Sequence, residues 1–308
     1  MSRYEVSPRL SRGEHYGRVV THRDAAGLRL TELHHTRPEL LPEHTHECAH
    51  FWLLLSGAFQ DHLGSKVRPY RPFSFGYYPG ELEQQDEFGR DGARFFTIEL
   101  DAQWAQMVAD LNRPMSAEPA DLNDTLAFRA MLQLHSKFLH ARDGGYDVDC
   151  FAAESLTAEC IGYAFEPRSR PEQRQPRWLG PVMQFLDEYY TRPFRISTLA
   201  ACAGVHPVHL ARVFREVHRC SIAQYQTALR IRRACSLLGV SDLTLSQIAL
   251  QTGFADQSHF TRAFTATTGC PPGEFRRTVF PRVRADEPSD EIRHFPDYDD
   301  RVHSSRSA

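Results

Sequence analysis

No CxxC pair occurs in the 308-residue sequence, and its seven cysteines, at 48, 150, 160, 202, 220, 235 and 270, are scattered and odd in number. That pattern argues against a zinc knuckle or a disulfide framework and fits a reducing cytosol; several fall at apolar periodic positions and read as buried thiols. No apolar run approaches the roughly 20 residues that span a bilayer. The opening stretch, MSRYEVSPRLSRGEHYGR, lacks the apolar core of a secretory signal. The expectation is a cytoplasmic protein without a membrane partner. A Gly-rich phosphate loop, a Ser/His/Asp set and a Cys/His pair are also missing, so no cofactor and no catalytic residue are expected.

What is present is ordinary in bulk and uneven in distribution. A hydrophobic share of 41% and a charged share of 24% match folded proteins, and the length suits about two domains. The net charge of −3 conceals an asymmetry. Residues 1–175 hold 19 Lys and Arg against 26 Asp and Glu; residues 176–284 hold 14 against 6, and all 14 are Arg. An acidic front and a basic back point to a polyanion that meets the back only.

Two stretches break the periodic patterns. Residues 166–177, EPRSRPEQRQPR, read as an exposed linker, and 281–308 read as a disordered acidic tail. Before the linker, residues 1–165 begin with short apolar runs between turn residues, as in FWLLLSGAFQDHL, RPFSFGYYPG and ARFFTIELD. These suggest strands of an antiparallel barrel. From about 121 the period becomes helical: Leu126, Met131, Leu132, His135, Phe138 and Leu139, then Leu156, Cys160, Ile161 and Phe165, with Gly144-Gly145 between. This predicts a helical hairpin on the barrel, and its outer faces leave a homodimer open. Residues 178–280 read as helical throughout. The fold class is α+β in two domains.

An internal repeat decides what the back half is. Ile196–Val205, ISTLAACAGV, aligns with Leu245–Phe254, LSQIALQTGF, at an offset of 49. After the inserted Ala255 the match resumes at 50: His206, His209, Leu210, Arg212, Phe214 and Tyr225 fall on Asp256, His259, Phe260, Arg262, Phe264 and Phe275. Each copy reads as helix, tight turn, helix. Ala200 and Ala249 are small where the second helix crosses, and Gly204 and Gly253 supply the positive φ of the turn. Pro207 suits a first helical position, Asp256 a cap, and Thr244 with Gln247 a capping box. Thr227–Gly239 reads as one connecting helix ending at glycine, with Arg230, Arg232 and Arg233 on or near its exposed face.

Residues 181–277 resemble the DNA-binding domain of the AraC/XylS family of transcription regulators. Gly253–Phe264, GFADQSHFTRAF, and Gly269–Pro272 with Phe275-Arg276 are close to that family's most specific stretch. One departure is Arg219, where the first unit usually carries Gly. With Leu210, Val213 and Phe214 inward, Pro207, Val208, Ala211, Arg212 and Arg215 face outward; with Phe260, Ala263 and Phe264 inward, Asp256, Gln257, Ser258, Thr261 and Arg262 do. His209 and His259 lie between faces. The resemblance implies base reading by Val208, Ala211 and Arg212 in the first unit and by Gln257, Ser258, Thr261 and Arg262 in the second. Arg suits guanine and Gln adenine, although a phosphate contact serves Arg212 and Arg262 equally well. The partner implied is double-stranded DNA in two adjacent major grooves, with RNA polymerase a further partner of an activator.

The front half carries a second constellation: Pro42–His50, PEHTHECAH, then a strand, Ser56-Gly57, and later Phe75–Glu83, FGYYPGELE. It resembles the cupin barrel, whose metal-binding members carry HxH, Glu, a strand and Gly, then PG followed by His. Here His50 stands for the Glu, and Glu83 or Gln84 for the final His. His44 and His46, two apart on an extended segment, point to one side. A ligand pocket is expected around His44, His46, His50 and Glu83, with aromatic walls drawn from Phe51, Trp52, Phe73, Phe75, Tyr77, Phe95 and Phe96; alternation lets only half of these point inward, and barrel core is the expected place of most. A weak metal site of His44, His46 and Glu83 is the alternative. Three functions follow as expectations: an effector-responsive regulator first, then a metal-dependent cupin enzyme, then a DNA-compacting architectural protein.

Overall fold

Glycine-interrupted strands of unusual length organise the front half. The structure, a computed structural model, describes residues 7–110, 116–122, 125–144, 148–165, 176–240 and 242–280. The expected linker thus lies outside the described residues except for 176–177, and the expected tail lies wholly outside them. The strands are β1 (Arg9–Leu10), β2 (Arg18–Ala25), β3 (Leu28–His35), β4 (Glu39–Leu40), β5 (Thr45–His46), β6 (His50–Leu63), β7 (Lys66–Tyr70), β8 (Phe75–Tyr78), β9 (Gln85–Leu100) and β10 (Ala120–Asp121). Helix α1 (Ala102–Asp110) precedes β10, and the hairpin α2 (Thr125–Gly144) and α3 (Cys150–Phe165) follows it.

The main sheet is antiparallel in the order β10-β8-β6-β9-β3-β2, with β4 beside β9 and β7 beside β6; β1 and β5 form a separate parallel pair. The path is open, since β2 and β10 end it without pairing to each other. The expected closed barrel is therefore corrected to a curved open sheet. Its curvature arises inside β6 and β9, whose pairing shifts register between Leu54 and Ser56 and again between Gly57 and Phe59. Gly57, at φ +79°, sits where a methyl group would strike the carbonyl oxygen of Gly92. A strand that bends within itself can double over without its edges meeting.

Alternation along β6 divides the side chains between two faces. Phe51, Leu53 and Leu55 join Phe73, Phe75, Tyr77 and Phe96 in the core beneath α1–α3. Trp52 and Leu54 join Phe59, Tyr78, Phe88 and Phe95 on the inner face. Of the seven expected pocket aromatics, only Trp52 and Phe95 belong to the inner face; the other five are core under the helices.

The back half is helical: α4 (Leu179–Tyr189), α5 (Ile196–Ala203), α6 (Pro207–His218), α7 (Ile222–Val240), α8 (Leu245–Gln251), α9 (Gln257–Thr268) and α10 (Pro272–Val279). The sequence repeat reappears as a repeat of hydrogen bonds. The Val205 N–H donates to the Ala200 carbonyl at 3.0 Å, and the Phe254 N–H to Ala249 at 2.9 Å. Gly204 bonds Ala201 at 3.2 Å and Gly253 bonds Leu250 at 3.1 Å. Both glycines have positive φ, +65° and +86°, and Ala200 and Ala249 are buried under the crossing helices. Arg219 adopts φ +56° at the end of α6, as Gly269 does at +86° after α9, so the turn keeps its shape without glycine.

The connecting helix departs from expectation. It starts at Ile222 and runs past Gly239, whose role is close packing against the Phe280 ring. Arg230 is half-buried, donating to the Tyr190 carbonyl at 2.7 Å, and Arg232 lies 4.4 Å over the Phe128 ring. Of the three arginines, Arg233 alone is exposed.

Buried apolar residues also divide unevenly. Helices α4–α6 close on the start of α7 around Leu199, Leu210 and Phe214 as a core of their own. The apolar faces of α7–α10 instead continue the core of the front half. Phe73 meets Phe275 at 6.0 Å, Arg94 donates to the Val279 carbonyl at 2.5 Å, and His140 pairs with Glu274 at 2.7 Å. Among the described residues, the second helix pair thus shares the core of the front half, whereas the first has a core of its own.

The two turn glycines should respond differently to substitution. Nothing lies within 4 Å of a methyl placed on Gly204, so Gly204→Ala should cost only the left-handed backbone strain, about 1–2 kcal/mol. A methyl on Gly253 would run into the Thr191 carbonyl, so Gly253→Ala should cost clearly more in denaturant melts. Equal losses would contradict the close approach.

Candidate nucleic-acid interface

Each second helix is held by its cap and leaves one face bare. The His206 ring accepts from the Val208 N–H at 3.3 Å at the start of α6. The Asp256 carboxylate accepts from the His259 N–H at 2.7 Å at the start of α9. Leu210, Val213 and Phe214 are buried on α6, and Phe260 and Phe264 on α9. On α6, Val208, Ala211, Arg212 and Arg215 are exposed and Pro207 is half-buried; on α9, Gln257, Ser258 and Arg262 are exposed and Thr261 is half-buried. Asp256 is exposed too, but its carboxylate is occupied by the cap.

Two of the long polar side chains on these faces already have partners. Arg212 donates to Glu216 at 2.8 Å and contacts the His209 ring at 3.3 Å. Gln257 accepts from the Ser246 hydroxyl at 2.7 Å. His209 packs near the Trp178 ring at the start of α4 at 5.7 Å, and His259 sets its ring edgewise to Phe254 in the turn of its own helix pair at 5.3 Å. A groove of about 740 Å³ runs beside α6, lined by Ala211, Arg212, Arg215 and Arg219 on one side and by Ile222 and Gln226 on the other. It gathers three guanidinium groups, that of Arg212 paired with the Glu216 carboxylate that also lines it, over an apolar floor, and its net positive charge suits a phosphate backbone. The sequence reading missed Arg219, Glu216 and Ser246. Position i+4 from Arg212 marked Glu216, whereas Ser246 meets Gln257 only through the fold.

The front half holds a much smaller cavity, about 60 Å³, on the inner face of the sheet. His44, His46 and His50 line it together with His15, His35, Gln84 and Asp86. Neighbouring rings lie close: His44 to His46 at 5.2 Å and His46 to His50 at 4.8 Å. His44 Nδ1 pairs with the Pro42 carbonyl at 2.9 Å and His50 Nδ1 with that of Cys48 at 3.4 Å. Glu83 is placed elsewhere: it is exposed and accepts from the Ser7 hydroxyl at 2.7 Å. Its neighbour Gln84 turns inward at an isolated bridge to His44, with Nε2 at 3.4 Å from His44 Nε2. The set of His44, His46 and Glu83 is therefore not assembled, and among the described residues no group of three or more His, Cys, Asp and Glu could hold a metal ion.

Burial sets the charge state of this cavity. It pushes His44 down, His46 well down with help from the neighbouring His50 and His44, and His50 to about 4 against the pull of Glu99. Burial, and then Asp61, raise the Asp86 carboxyl to about 8. Trp52 Nε1, Gln84 Oε1 and Asp86 Oδ1 face this interior without a hydrogen-bond partner among the described residues.

Comparison with known proteins bears on the helical half. A family profile described as a helix-turn-helix domain matches residues 199–278. The HTH-type transcriptional regulator GlxA of Rhizobium meliloti (strain 1021) is 35% identical over 96 residues, 31% of this chain and 30% of that protein. The probable transcription factor PqrA of Proteus vulgaris is 33% identical over 100 residues, 32% of this chain and 82% of that protein. A solved structure of ToxT from Vibrio cholerae aligns with 82% of this chain and 99% of its own at 11% identity and a TM-score of 0.34. The chain spans about a third of the length of the first curated relatives it matches.

The raised Asp86 makes a pH prediction with a definite sign. The folded chain keeps that proton up to about pH 8, whereas the unfolded chain releases it near 3.8, so folding stability is lost as pH rises towards 8. The lowered histidines act oppositely, but only as pH falls below 6.5. Between pH 6.5 and 8 the melting temperature should fall in the wild type and stay flatter in Asp86→Asn. Parallel profiles for the two proteins would remove Asp86 from this role.

Proposed function

The chain belongs to the AraC/XylS family of transcription regulators, and from that premise we propose that it is a sequence-specific DNA-binding transcription factor. In this reading α5–α6 and α8–α9 are two helix-turn-helix units that enter adjacent major grooves, about 34 Å apart along one side of the duplex. The observation that carries the reading is the recurrence of the turn and cap bonds in two helix pairs, each leaving the second helix bare on one side. Arg215 and Arg219 beside α6 supply phosphate contacts that position the first unit, and Val208 and Ala211 offer it methyl and shape readout. Gln257, Ser258, Thr261 and Arg262 give the second unit its hydrogen-bonded readout.

The cupin-like front domain is the sensor in this proposal. The present cavity accommodates about two water molecules, so a larger effector would have to part its walls. A packed route connects it to the DNA face. The β6 strand that lines the cavity with Trp52 also sets Phe51 against Phe165 of α3, α3 packs on α2, and α2 in turn contacts α7 and α9. A shift there would move the seated second unit relative to the first, to which it is joined by α7 and by the contact of Gly253 with the Thr191 carbonyl. The regulator thus works by population shift between arrangements of its two units. Activation through RNA polymerase and pairing of two copies are compatible with this scheme, and a cytoplasmic location follows from a chromosomal target. No helix among the described residues is long and apolar enough to cross a membrane.

Selection from a randomised duplex library, followed by gel shifts of the full chain at several salt concentrations, tests the reading. A two-part site with a steep salt dependence is expected. Enrichment of no sequence would favour the architectural alternative, and bound metal with turnover would favour the enzyme. On the selected site, Arg262→Ala should relax base preference at its own position, whereas Arg212→Ala should weaken binding more uniformly, because Glu216 and His209 hold its guanidinium. Equal loss of sequence preference in the two variants would count against the division of labour.

A further inference from the structure

The inner cavity of the front sheet holds polar atoms whose direction the backbone fixes. A carbonyl oxygen can only accept, and burial keeps the His44 ring neutral near pH 7. The Pro42 carbonyl, 2.9 Å from His44 Nδ1, therefore places the ring hydrogen on Nδ1. His44 Nε2 is then an acceptor, and the Gln84 amide that meets it at 3.4 Å must donate through Nε2. Gln84 Oε1 is left in the cavity as an acceptor without a partner among the described residues. The Cys48 carbonyl, 3.4 Å from His50 Nδ1, orients that ring in the same way and leaves His50 Nε2 a second acceptor. Asp86 Oδ1, also without a partner among the described residues, is a third. Gln84 and His50 are only 4% and 6% exposed, so these acceptors belong to a built interior and not to a solvated surface.

Carboxyls dominate the charge around them. Asp86 of β9 stands opposite Asp61 of β6 in the strand register, and Asp61 accepts from the Tyr78 hydroxyl of β8 at 2.6 Å. The other titratable neighbours are histidines: His35 of β3, His44 and His46 at β5, His50 of β6, and His15. Burial disfavours the charged forms of His44, His46 and His50. No lysine or arginine is among the described residues that line the cavity, and rings of Trp52, Phe59, Tyr78, Phe88 and Phe95 wall it. A complementary ligand brings N–H donors and positive charge, whereas a carboxylate would set oxygen against oxygen. Resting on the proposal that the front domain is the sensor, we propose that this cavity recognises the ammonium head group of a small primary amine. Its three N–H donors equal in number the acceptors Gln84 Oε1, His50 Nε2 and Asp86 Oδ1, and the aromatic walls enclose the adjoining carbon. Burial and Asp61 hold a proton on Asp86 up to about pH 8; that proton passes to solvent as the ammonium enters, so carboxylate and ammonium form a neutral pair. A volume of about 60 Å³ admits the head group with one or two carbons, and a longer chain must part the walls.

NMR titration of the full chain, labelled at its histidine ring carbons, tests the site with ethylammonium as the probe. So small a ligand binds at about a millimolar at best, a range that such titrations read. Because Asp86 must ionise, the dissociation constant should fall about fivefold from pH 7 to pH 8, over which the probe stays charged. Asp86→Asn keeps the shape of the protonated carboxyl, and should weaken binding about tenfold at pH 8 and remove the pH dependence. Acetamide, similar in size and uncharged, should bind more weakly than ethylammonium at pH 8. The proposal is overturned if ethylammonium gives no saturable shift, binds alike at both pH values, or binds Asp86→Asn as well as the wild type. Acetamide binding as tightly as ethylammonium overturns it too. Gel shifts on the selected duplex, with and without ethylammonium, keep the site apart from the sensor reading. Amine bound as expected with DNA affinity unchanged counts against the sensor and leaves the site; sequence-selective DNA binding by a chain that takes no amine leaves the regulator and removes the site.

Discussion

Close crossing of two short helices is the constraint on which the back half depends. At Ala200 and Ala249 the second helix passes over a methyl group, and at Gly204 and Gly253 the chain must turn through left-handed backbone. A larger side chain at the alanine would push the helices apart. A different turn would rotate the second helix about its axis and bury its exposed face. Gly253 meets a further demand, because the Thr191 carbonyl presses against it and ties the second turn to the segment after α4. The caps, the bare faces of α6 and α9 and the Ser246–Gln257 bond all presuppose this crossing.

Polar groups are allocated by the same geometry. Asp256 and Gln257 are adjacent, yet the first is consumed by the helix cap and the second is left at the surface with its oxygen partnered. On α6 the corresponding cap is a histidine, and the guanidinium of Arg212 is shared between Glu216 and His209. Repeat units of like backbone therefore present unlike chemistry. In the front half, an isolated bridge to His44 turns Gln84 to the cavity, while its neighbour Glu83 faces solvent. The result is an interior in which burial disfavours the charged forms of His44, His46, His50 and Asp86 alike, in place of a carboxylate poised for a metal.

The distribution of cores ties these halves together. Phe73, in the turn between β7 and β8, packs directly on Phe275 and Phe280, while α4–α6 close around Phe214 without it. Association of the second helix pair with the front domain is mainly apolar burial, which scales with area and is hard to break piecemeal. The exposed His140–Glu274 pair at its margin adds orientation more than stability.

Local pattern was sufficient for whatever depends on neighbours in sequence. The repeated helix pairs, their turn glycines, the Asp256 cap and the Thr244–Gln247 box could be read directly, because a cap or a turn is satisfied within a few residues. The helical hairpin around Gly144 and the outward faces of α6 and α9 followed from periodicity alone. Tertiary structure decided the rest. The bending of the open sheet depends on bulges where β6 meets β9, dozens of residues apart in the chain, and no one-strand pattern records them. Of the expected aromatic walls, five went to the other face, since alternation says that residues differ in side but not which side is inside. The arginines of α7 looked exposed by spacing, yet Arg230 and Arg232 are claimed by the Tyr190 carbonyl and the Phe128 ring. Contacts of that kind join residues that only the folded chain makes neighbours, so sequence could set out the reading elements but not what holds them in place.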